Sequence, residues 1–362
     1  MKKTQLLIIV TVLFLMVSCK NSDLKTEVKV QLSENVQKFS SYDKYFDESQ
    51  GVFDDIYTQL DAALNAESEP SKEEAIKVLA KRIIGAADPV PSLAGLLNKA
   101  SVTWITGEEP NTWIITINRK VDSERVTSLL EAKPSGGFFE TYEAKEVFET
   151  FANLNSLLRY TSIQEELDIE LDTTEFGVEN PLFTLLYPNV RVDGTFYDGS
   201  VIGRAKKKDI EVLNKIFSFF AGRGELYHGI VLLWSYKPID ETEDIYELHA
   251  IRETRDGSPV LGREDIVEAS VNTKSYPPTL DISFNGPGTW ALKRITGENV
   301  NKSIAFVMNN AVYFSPLVFE EITSGKLSIS ANLEEREAED LAILLGSGYM
   351  PPYGVKVLGT SY

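Results

Sequence analysis

Apolar positions repeat at helix and strand spacing along most of the chain. Residues 46–64 carry an apolar side chain every three or four positions, which predicts a helix. Ser71 and Glu74 match the capping-box pattern, so a second helix is expected to begin there. Residues 103–117 alternate and are rich in β-branched residues, which predicts a hairpin, and residues 122–132 predict a short helix. Strands and helices alternate to the C-terminus without a repeat period, so the predicted fold class is α+β.

The N-terminus has a different pattern. Lys2 and Lys3 precede an apolar run from Leu6 to Val17, which is shorter than the roughly 20 residues that span a bilayer and is typical of a signal peptide. The run ends at Met16-Val17-Ser18-Cys19, which resembles the lipobox of bacterial lipoproteins. An ordinary signal peptide followed by a chance cysteine is the alternative. Cys19 is the only cysteine in 362 residues, and this favours lipid attachment because a thioether needs one thiol and a disulfide needs two.

Lipidation of Cys19 would tether the chain to a membrane of the cell envelope, with the folded part facing the periplasm. A chain with one cysteine has no internal disulfide, so its hydrophobic core must stabilise it, and a hydrophobic content of 43% is sufficient. After Cys19 no apolar stretch approaches membrane-spanning length. The sequence therefore predicts a folded body on a lipid anchor.

The net charge of −18, from 54 acidic and 36 basic residues, makes nucleic acid and anionic lipid poor partners. The basic run 204–208 is short and is followed by Asp209 and Glu211, so it is interpreted as a solvated helix start. No nucleic-acid partner is predicted.

The residue types that carry out catalysis are few. His228 and His249 each lie in an apolar, strand-like run, which favours a structural role. The sequence 286–288, Gly-Pro-Gly, is interpreted as a turn because Pro287 lacks the N–H that a phosphate cradle uses. Acidic pairs within 334–340 are expected on the solvent face of an amphipathic helix. The prediction is a protein that is not an enzyme and has no cofactor or metal.

The last third of the chain contains a series of recognisable segments. They are LDISF (280–284), ITGENV (295–300), SIAFVM (303–308), VYFSP (312–316), ITSG (322–325), LSISAN (327–332), EAEDLA (337–342) and LLGSG (344–348). In composition and order these segments resemble the head of the first periplasmic domain of the SecD family of protein-export subunits. Upstream, residues 75–79 with Arg82 and residues 122–130 resemble the base of the same domain.

The resemblance implies a fold and a division of the chain. The expected fold is α+β, with a ferredoxin-like base subdomain, a SecD-type α+β head subdomain, mixed or antiparallel sheets and packed helices. The expected divisions are 1–18 as the lipoprotein signal peptide, 19–40 as tether and first strand, 41–150 as base-like region, 151–240 as connecting region and 241–362 as head-like domain.

The chain also departs from the family. A glycine of the family's ITGG turn is Ser324, and its ISGN turn has become ISAN at 329–332, which places the loop geometry there in question. The chain stops at Tyr362, where the family would enter its membrane-embedded half. Proton-driven pulling is therefore not expected of this chain alone.

The resemblance implies a binding function. We expect a lipid-anchored, SecD-like periplasmic protein that assists protein export by binding translocating or unfolded polypeptide, with Sec translocase components as further partners. A polypeptide-binding surface needs exposed apolar side chains or an open strand edge. The candidate residues, each of which could instead fill the core, are Phe284, Trp290, Phe306, Tyr313, Phe314 and Phe319.

Two other functions stay open at this point. The first is a repurposed binding lipoprotein of the outer membrane with no Sec role. Lys20 follows Cys19 where an inner-membrane retention signal of enterobacterial type has Asp, and this favours that alternative slightly. The second is a decayed remnant, against which the intact helix and strand patterns argue.

Overall fold

The computed structural model of the chain describes residues 26–34, 72–87, 102–109, 111–117, 121–132, 136–240, 242–255, 257–275, 277–330, 333–348 and 353–361. Cys19, the predicted signal peptide and the predicted helix at 46–64 lie outside the described residues. Among the described residues, no helix has the length and apolar character needed to cross a membrane.

Helices and strands alternate through the described part of the chain. The helices are α1 Lys72–Ala87, α2 Ser123–Glu131, α3 Ala144–Leu157, α4 Thr161–Leu167, α5 Glu175–Glu179, α6 Lys207–Gly222, α7 Gly286–Glu298 and α8 Glu335–Gly346. The strands are β1 Thr26–Glu34, β2 Val102–Thr106, β3 Thr112–Ile117, β4 Gly136–Glu140, β5 Tyr187–Pro188, β6 Val201–Lys206, β7 Ile230–Trp234, β8 Ile245–Arg252, β9 Leu261–Gly262, β10 Ile266–Asn272, β11 Thr279–Phe284, β12 Ile304–Met308, β13 Ala311–Phe314, β14 Lys326–Ser330 and β15 Tyr353–Ser361.

The first sheet has the order β15-β1-β3-β2, and all of its neighbouring strands are antiparallel. Along the chain its elements follow β1, α1, β2, β3, α2 and β15, which is the βαββαβ order of the ferredoxin-like fold. The predicted ferredoxin-like base is therefore observed. The last strand, which the sequence had grouped with residues 241–362, pairs with β1 in this sheet.

The core of the base follows from simple periodicity. Every second residue of β1 points inward, and Val28 and Val30 are fully buried. On α1 the residues at helical spacing, Ile76, Leu79 and Ile83, are also fully buried. Both elements therefore bury the face on which their apolar residues recur.

The second region combines two sheets. One has the order β10-β11-β14 and is packed against α8, which buries Ala338, Leu341 and Leu345. The other has the order β13-β12-β4-β9, in which Phe306 of β12 lies opposite Phe138 of β4. Residues 136–140, which the sequence grouped with the base, thus form a central strand of this sheet.

The third region contains the sheet β5-β6-β8-β7 and helices α3 to α6, which enclose a core of their own. Its central aromatic side chains are Phe151, Phe217 and Phe220. Two isolated bridges, Thr141–Ile251 and Ser235–Val312, join this region to the sheet of β12 and β13. This region therefore extends from α3 to β8, beyond the predicted bounds 151–240 on both sides, and hydrogen bonds join it to its neighbours.

Two sequence expectations about helices need correction. Residues 286–288 are the first turn of α7 and not a separate turn, because Asn285 caps the helix and proline is tolerated in the first turn. Glu339 and Asp340 do not simply face solvent. The Arg125 guanidinium of α2 lies 3.0 Å from Glu339 Oε2 and 2.7 Å from Asp340 Oδ1, so these acids connect α8 to the base.

Two buried arginines hold the end of α8. Arg82 of α1 is fully buried and donates to the carbonyls of Leu129 (2.9 Å) and Ala132 (3.4 Å) and to Ser347 Oγ (3.3 Å). Arg263 donates to the carbonyls of Leu344 and Gly348. Burial, together with the charge of Arg263, lowers the pKa of Arg82 to about 9. The positive charges also suit the negative end of the helix dipole.

Candidate polypeptide-binding surface

Helix α7 presents one of the predicted binding residues to solvent. The helix is fixed at its start by Asn285, whose Oδ1 accepts from the Gly288 N–H at 2.7 Å and whose Nδ2 donates to the Glu264 carbonyl at 3.0 Å. Its inner face buries Leu292 completely. Trp290 lies on the outer face and is 70% exposed.

The loop after β13 carries a second exposed aromatic residue and is held along α7. Thr296 Oγ1 accepts from the Ile322 N–H at 2.9 Å, and the Asn301 N–H donates to the Val318 carbonyl at 2.8 Å. Phe319 lies between these two anchor points and is 83% exposed. Trp290 and Phe319 therefore project from two segments that pack against each other.

The altered turn of this loop keeps its geometry. Gly325 has φ +66°, and a Cβ there would lie 2.2 Å from Thr289 Oγ1, so glycine is required at this position. Ser324 needs no positive φ, and its Oγ accepts from the Lys326 N–H at 3.3 Å. The serine substitution is thus accommodated without backbone strain.

The other predicted binding residues lie deeper. Phe306 is fully buried and Phe284 is 8% exposed, because both pack around Phe138 in the core. Phe314 is half-buried and stacks on Phe306 with ring centroids 4.9 Å apart. These three side chains form part of the core, which was the alternative that the sequence left open for each of them.

Tyr313 has a partner that the sequence did not indicate. Its ring stacks on that of Tyr236 with centroids 4.1 Å apart, and Tyr236 is 47% exposed. Burial, together with the neighbouring Tyr236, raises the pKa of the Tyr313 hydroxyl. Tyr236 follows β7 in the connecting region, so only the tertiary fold brings it to the head.

The two histidines lie in different environments. His228 is exposed, whereas His249 is 4% exposed and its Nδ1 lies 2.9 Å from Ser200 Oγ. Ser200 Oγ is in turn 2.9 Å from Ser315 Oγ, so a buried chain of polar groups connects β8 to the loop after β13. Burial lowers the pKa of His249 to about 4 and keeps its ring neutral at pH 7. Ser200 is 1% exposed, so its hydroxyl is closed to a substrate.

Comparison with known proteins connects this architecture to protein-export subunits. Residues 248–352 match the family described as SecDF, P1 head subdomain. The chain is 31% identical over 173 residues to the protein translocase subunit SecD of Rhodothermus marinus and 39% identical over 101 residues to that of Calditerrivibrio nitroreducens. These matches cover 48% and 27% of this chain but only 26% and 19% of the relatives, so the chain spans at most about a quarter of the matched SecD proteins.

A solved SecDF structure, described as a membrane component that enhances protein export, also matches, with 16% identity and a TM-score of 0.39. The match covers 92% of this chain and 98% of that one. The matched head family includes β11, α7, β12, β13 and β14, which carry or flank all six predicted binding residues. Residues 248–352 are therefore similar to the SecDF P1 head subdomain, and the chain contains a SecD-like periplasmic domain.

Proposed function

We propose that this chain is a non-enzymatic, lipid-anchored SecD-like protein that assists protein export by binding translocating or unfolded polypeptide on the periplasmic side. The observation that carries the proposal is the exposure of Trp290 (70%) and Phe319 (83%) on the SecDF P1 head subdomain. The matched relatives are protein translocase subunits, which supports a role in export for this chain as well.

The physical basis is the match between an exposed aromatic pair and an unfolded chain. An unfolded polypeptide exposes apolar side chains, and aromatic residues provide large contact areas for them with few rotamers to immobilise. The loop of Phe319 is held at one end by a hydrogen bond to Thr296 of α7 and at the other by a hydrogen bond to Asn301, just after that helix. Little ordering entropy is therefore lost when a ligand binds. Binding would be tolerant of sequence, as a general export substrate requires.

A binding measurement tests the proposal. Trp290→Ser with Phe319→Ser should weaken the binding of a permanently unfolded protein, such as reduced and carboxymethylated α-lactalbumin, by about tenfold or more, because aromatic anchors dominate such contacts. Ile105→Ser is the matched control, since Ile105 is 62% exposed but lies on β2 of the base. Unchanged affinity in the double variant, with an unchanged melting temperature, would contradict a binding role for this surface.

Localisation tests the anchor and the export role separately. Substituting Cys19→Ala should release the protein from the membrane fraction if Cys19 carries the lipid. Inner-membrane residence, together with photocrosslinks from position 290 to Sec channel subunits, would support a role in export. Outer-membrane residence without such crosslinks would support the alternative, a repurposed binding lipoprotein with no Sec role, which Lys20 favours.

A further inference from the structure

The region between the base and the head exposes many large apolar side chains within a short stretch. These exposed residues are Tyr160, Phe176, Val178, Tyr187, Val190, Val192 and Tyr197. Large exposed apolar side chains that cluster on one surface usually mark an interaction site. We refer to these exposed side chains together as the 160–197 surface.

One end of the 160–197 surface is built where α3 meets α5. The Arg159 Nε donates to the Glu179 carbonyl at 2.8 Å, which places the turn with Tyr160 beside the helix that carries Phe176 and Val178. The three apolar side chains are between 60% and 63% exposed, and Phe176 and Val178, two positions apart on α5, point to different sides of that helix. A side chain of that exposure contributes little to the folded core and is available to a ligand.

The other end contains an aromatic cluster at the start of α3. The rings of Phe148 and Phe183 stack with centroids 5.7 Å apart, and Phe196 contacts Phe148 edge-on at 4.9 Å. Val190 pairs with Phe196 across a short hairpin, and Val192 lies near its tip, fully exposed. These three half-buried rings pack together next to the hairpin that carries the exposed side chains.

Helix α3 connects the two ends. Asn155 Oδ1 accepts from the Leu182 N–H at 3.0 Å, between the Arg159–Glu179 contact and the Phe148–Phe183 stack. The segment 179–183 therefore runs antiparallel to α3. The surface extends over about 16 Å, given the rise of about 1.5 Å per helical residue, which is the length of an extended segment of about five residues.

The same stretch is strongly acidic. Between residues 160 and 198, Arg191 is the only Lys or Arg, and nine acidic residues are all exposed: Glu165, Glu166, Asp168, Glu170, Asp172, Glu175, Glu179, Asp193 and Asp198. One of these carboxylates, Glu166, is already paired with Arg223. A ligand that offers both apolar and positively charged side chains would complement the others. Nucleic acid and anionic lipid would be repelled, and so would a second copy of this chain with its net charge of −18.

We infer that the 160–197 surface binds basic, apolar polypeptide segments, whose apolar side chains contact the exposed aromatic residues while their Lys and Arg side chains face the surrounding carboxylates. This interaction goes beyond the proposed function, which places unfolded-chain binding on Trp290 and Phe319 of the head. It also does not depend on that function, because its residues lie outside the matched range 248–352.

The test uses the full chain and three fluorescent 16-residue peptides, measured by anisotropy at low and high salt. One peptide contains leucine and lysine, the second leucine and glutamate, and the third serine and lysine. The leucine–lysine peptide should bind best, and its affinity should fall as salt screens the carboxylates. Equal binding of the leucine–glutamate peptide would overturn the inference.

Variants locate the binding site. Tyr160→Ser with Phe176→Ser and Val178→Ser should reduce affinity for the leucine–lysine peptide by about tenfold or more, since each exposed apolar contact contributes free energy in proportion to its buried area. Glu175→Lys with Glu179→Lys should weaken the same complex, and more strongly at low salt. All five residues are exposed, so circular dichroism and melting temperature should not change.

The variant Trp290→Ser with Phe319→Ser separates this inference from the proposed function. It removes the contribution of the head to leucine–lysine binding and should leave the salt-dependent part of that binding unchanged. If it abolishes that binding while the Tyr160, Phe176 and Val178 variant does not, the inference is wrong and the head accounts for all peptide binding. A dimer seen by light scattering that dissociates in the triple variant would also overturn it, since the surface would then be covered by a second copy.

Discussion

His249 is the buried group whose titration should affect stability most directly. It lies on β8, which is flanked by β6 and β7, and has Ser200 Oγ 2.9 Å from Nδ1 and Glu247 Oε2 4.0 Å from Nε2. Glu247 in turn accepts from Arg204, so its charge is already partly balanced. The hydrogen bond to Ser200 connects the third region to the loop after β13 through Ser315.

The lowered pKa of His249 predicts a loss of stability in mild acid. The folded pKa is about 4 and the ordinary value is 6.5, so the unfolded state binds the proton first as pH falls. The stability that comes from keeping His249 neutral is fully present above pH 6.5. It decreases as the pH falls from 6.5 to about 4 and does not change further below that, and the total loss in the free energy of unfolding is at most about 3 kcal/mol. Urea unfolding at pH 7.5 and pH 4.5 measures it.

Two variants isolate this contribution from the many carboxylates. His249→Asn keeps a polar group near the Nδ1 position but cannot titrate, so its loss of stability between the two pH values should be smaller than that of the wild type. His228→Asn, at the exposed histidine, should behave like the wild type. An identical pH dependence in all three proteins would show that His249 is not protonated on unfolding in this range.

Arg82 should be intolerant even of a conservative substitution. Its planar guanidinium donates to two carbonyls and to Ser347 Oγ, which a single lysine ammonium in the same space cannot reproduce. Arg82→Lys should lower the free energy of unfolding by about 2–4 kcal/mol, because buried carbonyls lose their donors. The matched control is Arg336→Lys, whose exposed pair with Asp122 is screened by solvent, so this substitution should change the free energy of unfolding far less. Equal losses in the two variants would argue against the structural role of Arg82.

At the residue scale, the sequence predicted the burial or exposure of some side chains and not of others. Helical spacing alone places Trp290 away from Leu292 and Ile295, so its exposure could be predicted. Strand β12 is buried on both faces, so alternation could not distinguish Phe306 in the core from a surface residue. The burial of Arg82 was not predictable, since its partners lie 47 to 265 residues away.

At the scale of elements, the cap of α7 supports the exposed aromatic surface. Asn285 satisfies the free N–H of Gly288 and connects the helix to the carbonyl of Glu264. Asn285→Ala should lower the free energy of unfolding by about 1 kcal/mol, whereas Asn285→Ser should retain most of it, since serine also accepts at a helix start. Thermal unfolding of both variants tests this prediction. If serine were as destabilising as alanine, the bond to Glu264 and not the cap would be the important contact.

Local signals predicted elements better than they predicted pairings. The capping pattern at Ser71 and Glu74 predicted the helix observed at Lys72–Ala87, because both signals are contained within four residues. The pairing of β4 with β12 could not be read locally, since the two strands are separated by more than 160 residues. Their pairing depends on the whole third region folding between them.

At the scale of the molecule, the base is completed by the last strand of the chain. Strand β15 pairs with β1 along nearly its whole length, and in the sequence it follows the other two regions. Arg82 donates hydrogen bonds to groups at the ends of both α2 and α8. Val355 and Val357 of β15 also pack against the core of the base. Contacts so distant in sequence are costly to form, so the base is expected to complete folding late.

Removing the last strand should therefore unfold the base selectively. A chain ending at Gly348 loses β15, which exposes the edge of β1 and the apolar residues of the base core around Val28 and Val30. Hydrogen exchange should show lost protection in β1 and α1 but retained protection in β12, whose partners β4 and β13 are intact. Deletion of Tyr362 alone is the control and should change neither. Retained protection of β1 in the shorter chain would mean that the base does not depend on its closing strand. Loss of protection in β12 as well as in β1 would mean that base and head unfold as a single unit.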